Sequence, residues 1–211
     1  MKYISLGPTC DIASLLKKLG VRDTAYPFDW VFTSFAMMED AIKDRFNKFL
    51  DVNEIYEVVV GNESGSTNRR YSPMIHTQTL LVHHQSSKSV AEVAGEPAPW
   101  RLFNHHNLCD PQVNATFKRR CARFLDILSA ESSEQVTLVY CNWYMDDIDD
   151  AIQFVENMAF LPHVRVLVII ENQTYNVEYE VTPLPNLRVV YTTSAERVLT
   201  ATIAADALVQ Q

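Results

Sequence analysis

The apolar positions of the chain change period several times, and each change marks an element. Lys2 to Leu6 is short and β-prone, and Gly7-Pro8 interrupts it. Ile12, Leu15, Leu16 and Leu19 then recur at helical spacing, with Thr9 or Cys10 as the cap. Gly20 closes that predicted helix as a C′ residue. A second predicted helix covers Phe35 to Leu50, with Met38, Ala41, Ile42, Phe46 and Phe49 on one stripe. The last hundred or so residues alternate more plainly: a helix from Asn114 to Ala130, a strand from Val136 to Cys141, a helix from Ile148 to Ala159, strands from Val164 to Ile170 and Leu187 to Tyr191, and a closing helix from Ala195. Val166-Leu167-Val168-Ile169-Ile170 shows no polar alternation, as expected of a strand buried on both faces in a parallel sheet covered by helices.

These readings predict an α/β fold, a three-layer sandwich with a mostly parallel sheet, formed by residues 1–211 as a single domain. Residues 56–110 interrupt the pattern and read as an irregular insertion or lid-like region. Within it, Gly61 to Arg70 and Ser86 to Pro99 are polar, small and Pro/Gly-bearing, so they read as long loops flanking a short strand near Thr79 to His83.

Composition narrows the function. The 18 Lys+Arg against 26 Asp+Glu give a net charge of −8, which argues against a broadly basic nucleic-acid binder. Neither G-x-G-x-x-G nor a P-loop occurs among the five glycines, so no dinucleotide or phosphate cradle, and no cofactor, is expected. His83, His84, His105, His106 and Cys109 share one stretch, but their spacing matches no standard zinc pattern and no metal is assigned. The longest apolar run, Val164 to Ile170, contains Arg165, and a membrane span needs about 20 apolar residues, so no membrane segment is expected. The N-terminus is too interrupted for a signal-peptide core, and the four cysteines form no C-x-x-C pair. The expectation is a cytoplasmic protein with reduced thiols; the oligomeric state is left open.

Four groups of residues carry candidate chemistry. Cys10 starts a helix, where backbone N–H groups and the helix dipole favour a thiolate; Asp11 beside it acts in the opposite sense, and a structural thiol is the competing reading. In Arg101-Leu102-Phe103-Asn104-His105-His106, adjacent histidines point to opposite sides if extended, so one of them would serve as base; a surface or capping histidine is the alternative. Asp29, between Phe28 and Trp30, either orients that base or pairs structurally with Arg22 or caps a helix. Arg119 and Arg123 share a helix face, and Arg120 is turned by about 100° from Arg119. They would clamp an anionic group or form a solvated face. Asp146, Asp147, Asp149 and Asp150 complement a helix N-terminus.

The order of these segments resembles a known family. Ser5-Leu6-Gly7-Pro8-Thr9-Cys10, Leu15-Leu16-Lys17-Lys18-Leu19-Gly20-Val21-Arg22 and Tyr26-Pro27-Phe28-Asp29-Trp30 resemble the N-terminal signature of a bacterial family of unknown function labelled "putative papain-like cysteine peptidase". Phe103-Asn104-His105-His106 is similar to its Phe-x-His motif, and Lys118-Arg119-Arg120 with Arg123-Phe124-Leu125 to its Arg-rich helix. The resemblance spans roughly Lys2 to Tyr140. It implies Cys10 as nucleophile and His105 as base, to which Asp29 is added as orienting group. His106, Arg119, Arg123 and Trp30 are the candidate substrate contacts. The papain label also implies a helical part beside an antiparallel sheet, whereas the residues themselves read as alternating β and α units.

Two functions follow. One is a cysteine-dependent hydrolase, of peptidase or acyltransferase type, acting on a peptide or other carbonyl substrate. The other is a non-peptidase α/β enzyme or binding domain that takes a glycan or other polar small molecule, with Cys10 structural.

Overall fold

The computed structural model describes residues 1–8, 10–31, 33–53, 55–57, 67–69, 103, 106–129, 131–142, 148–158, 161–171 and 178–209. In chain order these form β1 (Lys2–Ser5), α1 (Cys10–Lys18), α2 (Phe35–Lys43), α3 (Asn47–Leu50), β2 (Ile55–Glu57), β3 (Thr67–Arg69), α4 (Pro111–Ile127), β4 (Val136–Asn142), α5 (Ile148–Asn157), β5 (Val164–Glu171), β6 (Tyr179–Leu184), β7 (Leu187–Thr192) and α6 (Ala195–Val209). The main sheet has the order β1-β4-β5-β7-β6. Its first four strands are parallel, and β6 runs antiparallel to β7 at the edge. The sheet is open, and the expected α/β class holds. An all-antiparallel sheet, which the papain label implies, is not what these strands form.

Two apolar layers flank the sheet because side chains along each strand alternate in direction. Ile12 and Leu16 of α1 and Val198 and Leu199 of α6 pack with Val139, Leu167, Ile169 and Val190 on one face. Phe35 and Met38 of α2, Phe117 and Phe124 of α4, and Phe154 of α5 pack with Leu138, Tyr140, Val166, Val168 and Val189 on the other. The continuous apolar runs of β4 and β5 are therefore what a sheet with both faces covered requires.

Three expectations need correction. The helix predicted over Phe35 to Leu50 is broken into α2 and α3, because Arg45 and Phe46 adopt φ of +56° and +63°. Burying the whole Phe46 ring contributes roughly 2–3 kcal/mol, enough to offset about 1–2 kcal/mol for a left-handed non-glycine residue. Second, Thr67–Arg69 lies inside the segment read as a loop, yet it pairs antiparallel with Ile55–Glu57. Third, β6 received no assignment from the sequence: its residues are mostly exposed and include Pro183, so its strand character rests on pairing with β7. The strand expected near Thr79 to His83 and the loop from Ser86 to Pro99 lie outside the described residues.

Helix ends follow local chemistry. Asp110 caps α4 by accepting from the Gln112 and Val113 amides, with Pro111 at the first turn. Ser34 caps α2 through the Met37 amide. Gly20 takes φ +73° just past α1, where the Val21 amide bonds the Leu16 carbonyl and the Gly20 amide the Lys17 carbonyl, a Schellman end.

Candidate active site

Cys10 lies where β1 hands over to α1, at the carboxyl edge of the parallel strands. The turn is held closely: the Leu6 amide bonds the Val139 carbonyl at 2.8 Å and the Cys141 amide bonds the Gly7 carbonyl at 3.3 Å, continuing the β1–β4 ladder. The Thr33 hydroxyl donates to the Leu6 carbonyl from the other side. Gly7 has φ +91°, and a Cβ there would collide with the Thr33 side chain and lie 3.1 Å from the Val31 carbonyl oxygen. Only glycine meets both demands.

This edge is also a topological switch point. The chain leaves β1 toward the face of α1 and α6, and the element after β4, α5, packs on the opposite face. Adjacent strands whose following elements go to opposite faces leave a crevice at their carboxyl ends, the usual ligand position in open α/β sheets. Cys10 is half-buried as the first residue of α1 beside that crevice. Burial pushes its thiol above the ordinary value and Asp11 adds to the effect, with the backbone at the helix start pulling the other way. The lowered thiol expected from the helix terminus is thus outweighed among the described residues.

Asp29 anchors a second cluster. Its carboxylate is buried, and Oδ2 accepts from the Tyr26 amide at 2.8 Å and from Arg22 Nε at 3.1 Å and Nη2 at 2.5 Å. The structural pairing with Arg22 is therefore realised. Burial raises the carboxyl above the usual range, against the Tyr26 amide and the Arg22 and Arg120 charges, which favour ionisation. Oδ1 is buried without a hydrogen-bond partner among the described residues, and so is Nη1 of Arg120. The Arg120 guanidinium carbon lies 4.7 Å from the centre of the Phe117 ring, and that of Arg22 lies 5.9 Å from Trp30.

The remaining candidates divide. The His106 ring meets Phe117 edge-on at 5.1 Å, so His106 and Arg120 share one aromatic support. Arg123 donates to Thr24 Oγ1 and the Ala25 carbonyl, both at 2.6 Å, and so ties α4 to the segment before Asp29. Arg119 is exposed and, among the described residues, donates only to Thr116 Oγ1, at 2.9 Å. His105, Asp146 and Asp147 lie outside the described residues. Among the described residues no group of three or more His, Cys, Asp or Glu is placed to hold a metal, and no helix is long and apolar enough to cross a membrane.

Sequence reasoning passed over Arg120, although its place was legible. It flanks the buried stripe of Phe117, Cys121 and Phe124, whereas Arg119 points away from it. Gly7 and Thr33 were also missed as supports of the Cys10 turn, since their contact joins residues far apart in the chain.

Comparison with known proteins adds three findings. The family described as "Putative papain-like cysteine peptidase (DUF1796)" matches residues 1–179. Uncharacterized protein R408 of Acanthamoeba polyphaga mimivirus is 39% identical over 54 residues, which are 25% of this chain and 24% of that protein. No solved structure matches.

Proposed function

Because the chain belongs to the family described as "Putative papain-like cysteine peptidase", through a match over residues 1–179, we propose that it is a cysteine-dependent hydrolase with Cys10 as nucleophile. The observation that carries this reading is the position of Cys10, on the first residue of a helix at the carboxyl edge of β1, beside the switch point. The other thiols lack that placement. Cys121 is buried on α4, Cys141 lies within β4, and Cys109 is exposed in the turn before α4.

In this reading the thiol is protonated at rest, since burial and Asp11 raise it. His105 takes the proton as sulfur attacks the carbonyl carbon, and backbone N–H groups at the start of α1 bind the oxyanion. The C–N or C–O bond then breaks, the leaving group receives the proton from His105, and water hydrolyses the thioester. Asp29 is fixed by Arg22 and Tyr26, with Oδ1 left to accept one further donor, as an orienting carboxylate would need. His106, Trp30, Arg119 and Arg123 are the candidate substrate contacts; Arg119 is the one whose guanidinium reaches solvent most freely.

A second reading is favoured by the raised thiol and by the unfilled hydrogen bonds of Arg120 and Asp29. Cys10 is then structural, and these charged groups contact a glycan or other polar small molecule. Cys10→Ser separates the two. Screened against fluorogenic peptide and ester substrates, the hydrolase reading expects the variant to lose at least about 100-fold in kcat/KM. Turnover unimpaired in Cys10→Ser would overturn it.

A further inference from the structure

Away from the Cys10 edge, a cavity of about 520 Å³ opens between α2, the end of α4 and the end of α5. Ile42, Leu125, Leu128, Phe154, Met158 and Leu161 line it with apolar surface. Its volume falls within the range of small-molecule sites. The rim carries Glu39, Lys43, Arg45 and Asp126. Glu39 and Lys43 form an ion pair, and Glu39 also accepts from Asn157. Arg45 and Asp126 have no such engagement: among the described residues no hydrogen bond or ion pair involves either side chain. The two also line an adjoining hollow of about 310 Å³, and Leu125 lines both spaces.

The backbone at Arg45 is the second, independent observation. The Phe46 amide bonds the Ala41 carbonyl at 2.7 Å and the Arg45 amide bonds the Ile42 carbonyl at 3.0 Å, the same Schellman pattern that ends α1 at Gly20. At α1 the C′ position is glycine; at α2 it is an arginine with φ +56°. Phe46 is compensated for its own left-handed conformation by burial, but Arg45 is exposed. A cation near the helix C-terminus complements the dipole, yet Lys43 already supplies that in the last turn. A strained, unpaired side chain at the mouth of an apolar cavity points to a ligand that uses it.

We propose that this cavity binds a small zwitterion with an apolar body, a short apolar peptide with free ends, whose carboxylate is received by Arg45 and whose ammonium by Asp126. The rim has one unpaired charge of each sign, which a zwitterion satisfies and a simple fatty acid or alkylamine does not. The site is separate from the proposed chemistry of Cys10 and stands or falls without it.

Titration of the full chain with leucyl-leucine, followed by calorimetry or amide chemical shifts, tests the assignment. Saturable binding is expected, weakened at least about fivefold when either end is blocked by acetylation or amidation. Arg45→Gly should raise the midpoint of thermal unfolding by about 2–4 °C while weakening leucyl-leucine binding by the same factor. Arg45→Met, which keeps the stem, should weaken it equally. No saturable binding up to about 10 mM, unchanged affinity in both Arg45 variants, or equal affinity for the doubly blocked peptide would each overturn the proposal.

Discussion

At the residue scale, the burial of Asp29 decides more than its position in a recognisable segment. Taking a carboxylate out of water costs several kcal/mol unless charge and hydrogen bonds replace the solvent. Arg22 and the Tyr26 amide do so at Oδ2. Removing Arg22 takes away the ion pair and leaves the Tyr26 amide and the Arg120 charge to hold the buried carboxylate, so Arg22→Ala should destabilise the fold by about 3 kcal/mol, measured by urea unfolding. Asp29→Asn, which lowers the charge to be compensated, should cost distinctly less. Equal costs would mean that the pair is not the anchor described. The sequence made Asp29–Arg22 pairing an explicit alternative because an aspartate between aromatic residues must find a cation or a cap. The apolar stripe of α4 already sets Arg120 beside the core and Arg119 away from it, but that the charge beside Asp29 is the one on Arg120 follows only from how α4 packs against the segment of Tyr26 and Phe28.

At the element scale, the β1–α1 turn is the part of the site that the fold specifies most tightly. Gly7 needs a positive φ and a bare Cα, because Thr33 and the Val31 carbonyl close over it. Gly7→Ala should therefore cost about 3 kcal/mol, combining a left-handed conformation with overpacking. Pairing it with Thr33→Ala, which removes the hydroxyl that the added Cβ would strike, in a double-mutant cycle should recover part of the loss. Purely additive costs would contradict the contact. Elements with strong periodicity were legible: α1, α4, β4, β5, β7 and the start of α6 agree with the pattern to within a few residues. Elements whose cause is tertiary were not. The break between α2 and α3 has no Gly or Pro to announce it, because the αL residues are Arg45 and Phe46. An exposed edge strand such as β6 has no buried face to print a period on the sequence.

At the scale of the whole molecule, strand order is what gives Cys10 meaning. A cysteine at a helix start is common; one at the carboxyl edge of a parallel sheet, beside adjacent strands that feed opposite faces, sits where open α/β proteins place their ligands. The parallel sheet could be anticipated from the uninterrupted apolar runs, but the order β1-β4-β5-β7-β6 could not, because β1 pairs with β4 across most of the chain and β7, rather than the preceding β6, takes the place beside β5. The same geometry fixes the expected protonation state. With burial and Asp11 both raising the thiol, its thiolate fraction at neutral pH is below that of an ordinary cysteine, and its uncatalysed reactivity should level off at a higher pH than that of an ordinary thiol, whose pKa is near 8.5. Fast reaction at neutral pH therefore requires a base that removes the proton at the moment of attack. Alkylation by limiting iodoacetamide at pH 7, with each cysteine followed by mass spectrometry in the wild type and in His105→Ala, measures this directly. The account predicts that Cys10 reacts at least about tenfold faster than the exposed Cys109 and loses that lead in His105→Ala. Cys10 labelling no faster than Cys109 in the wild type, or a lead unchanged without His105, would contradict it.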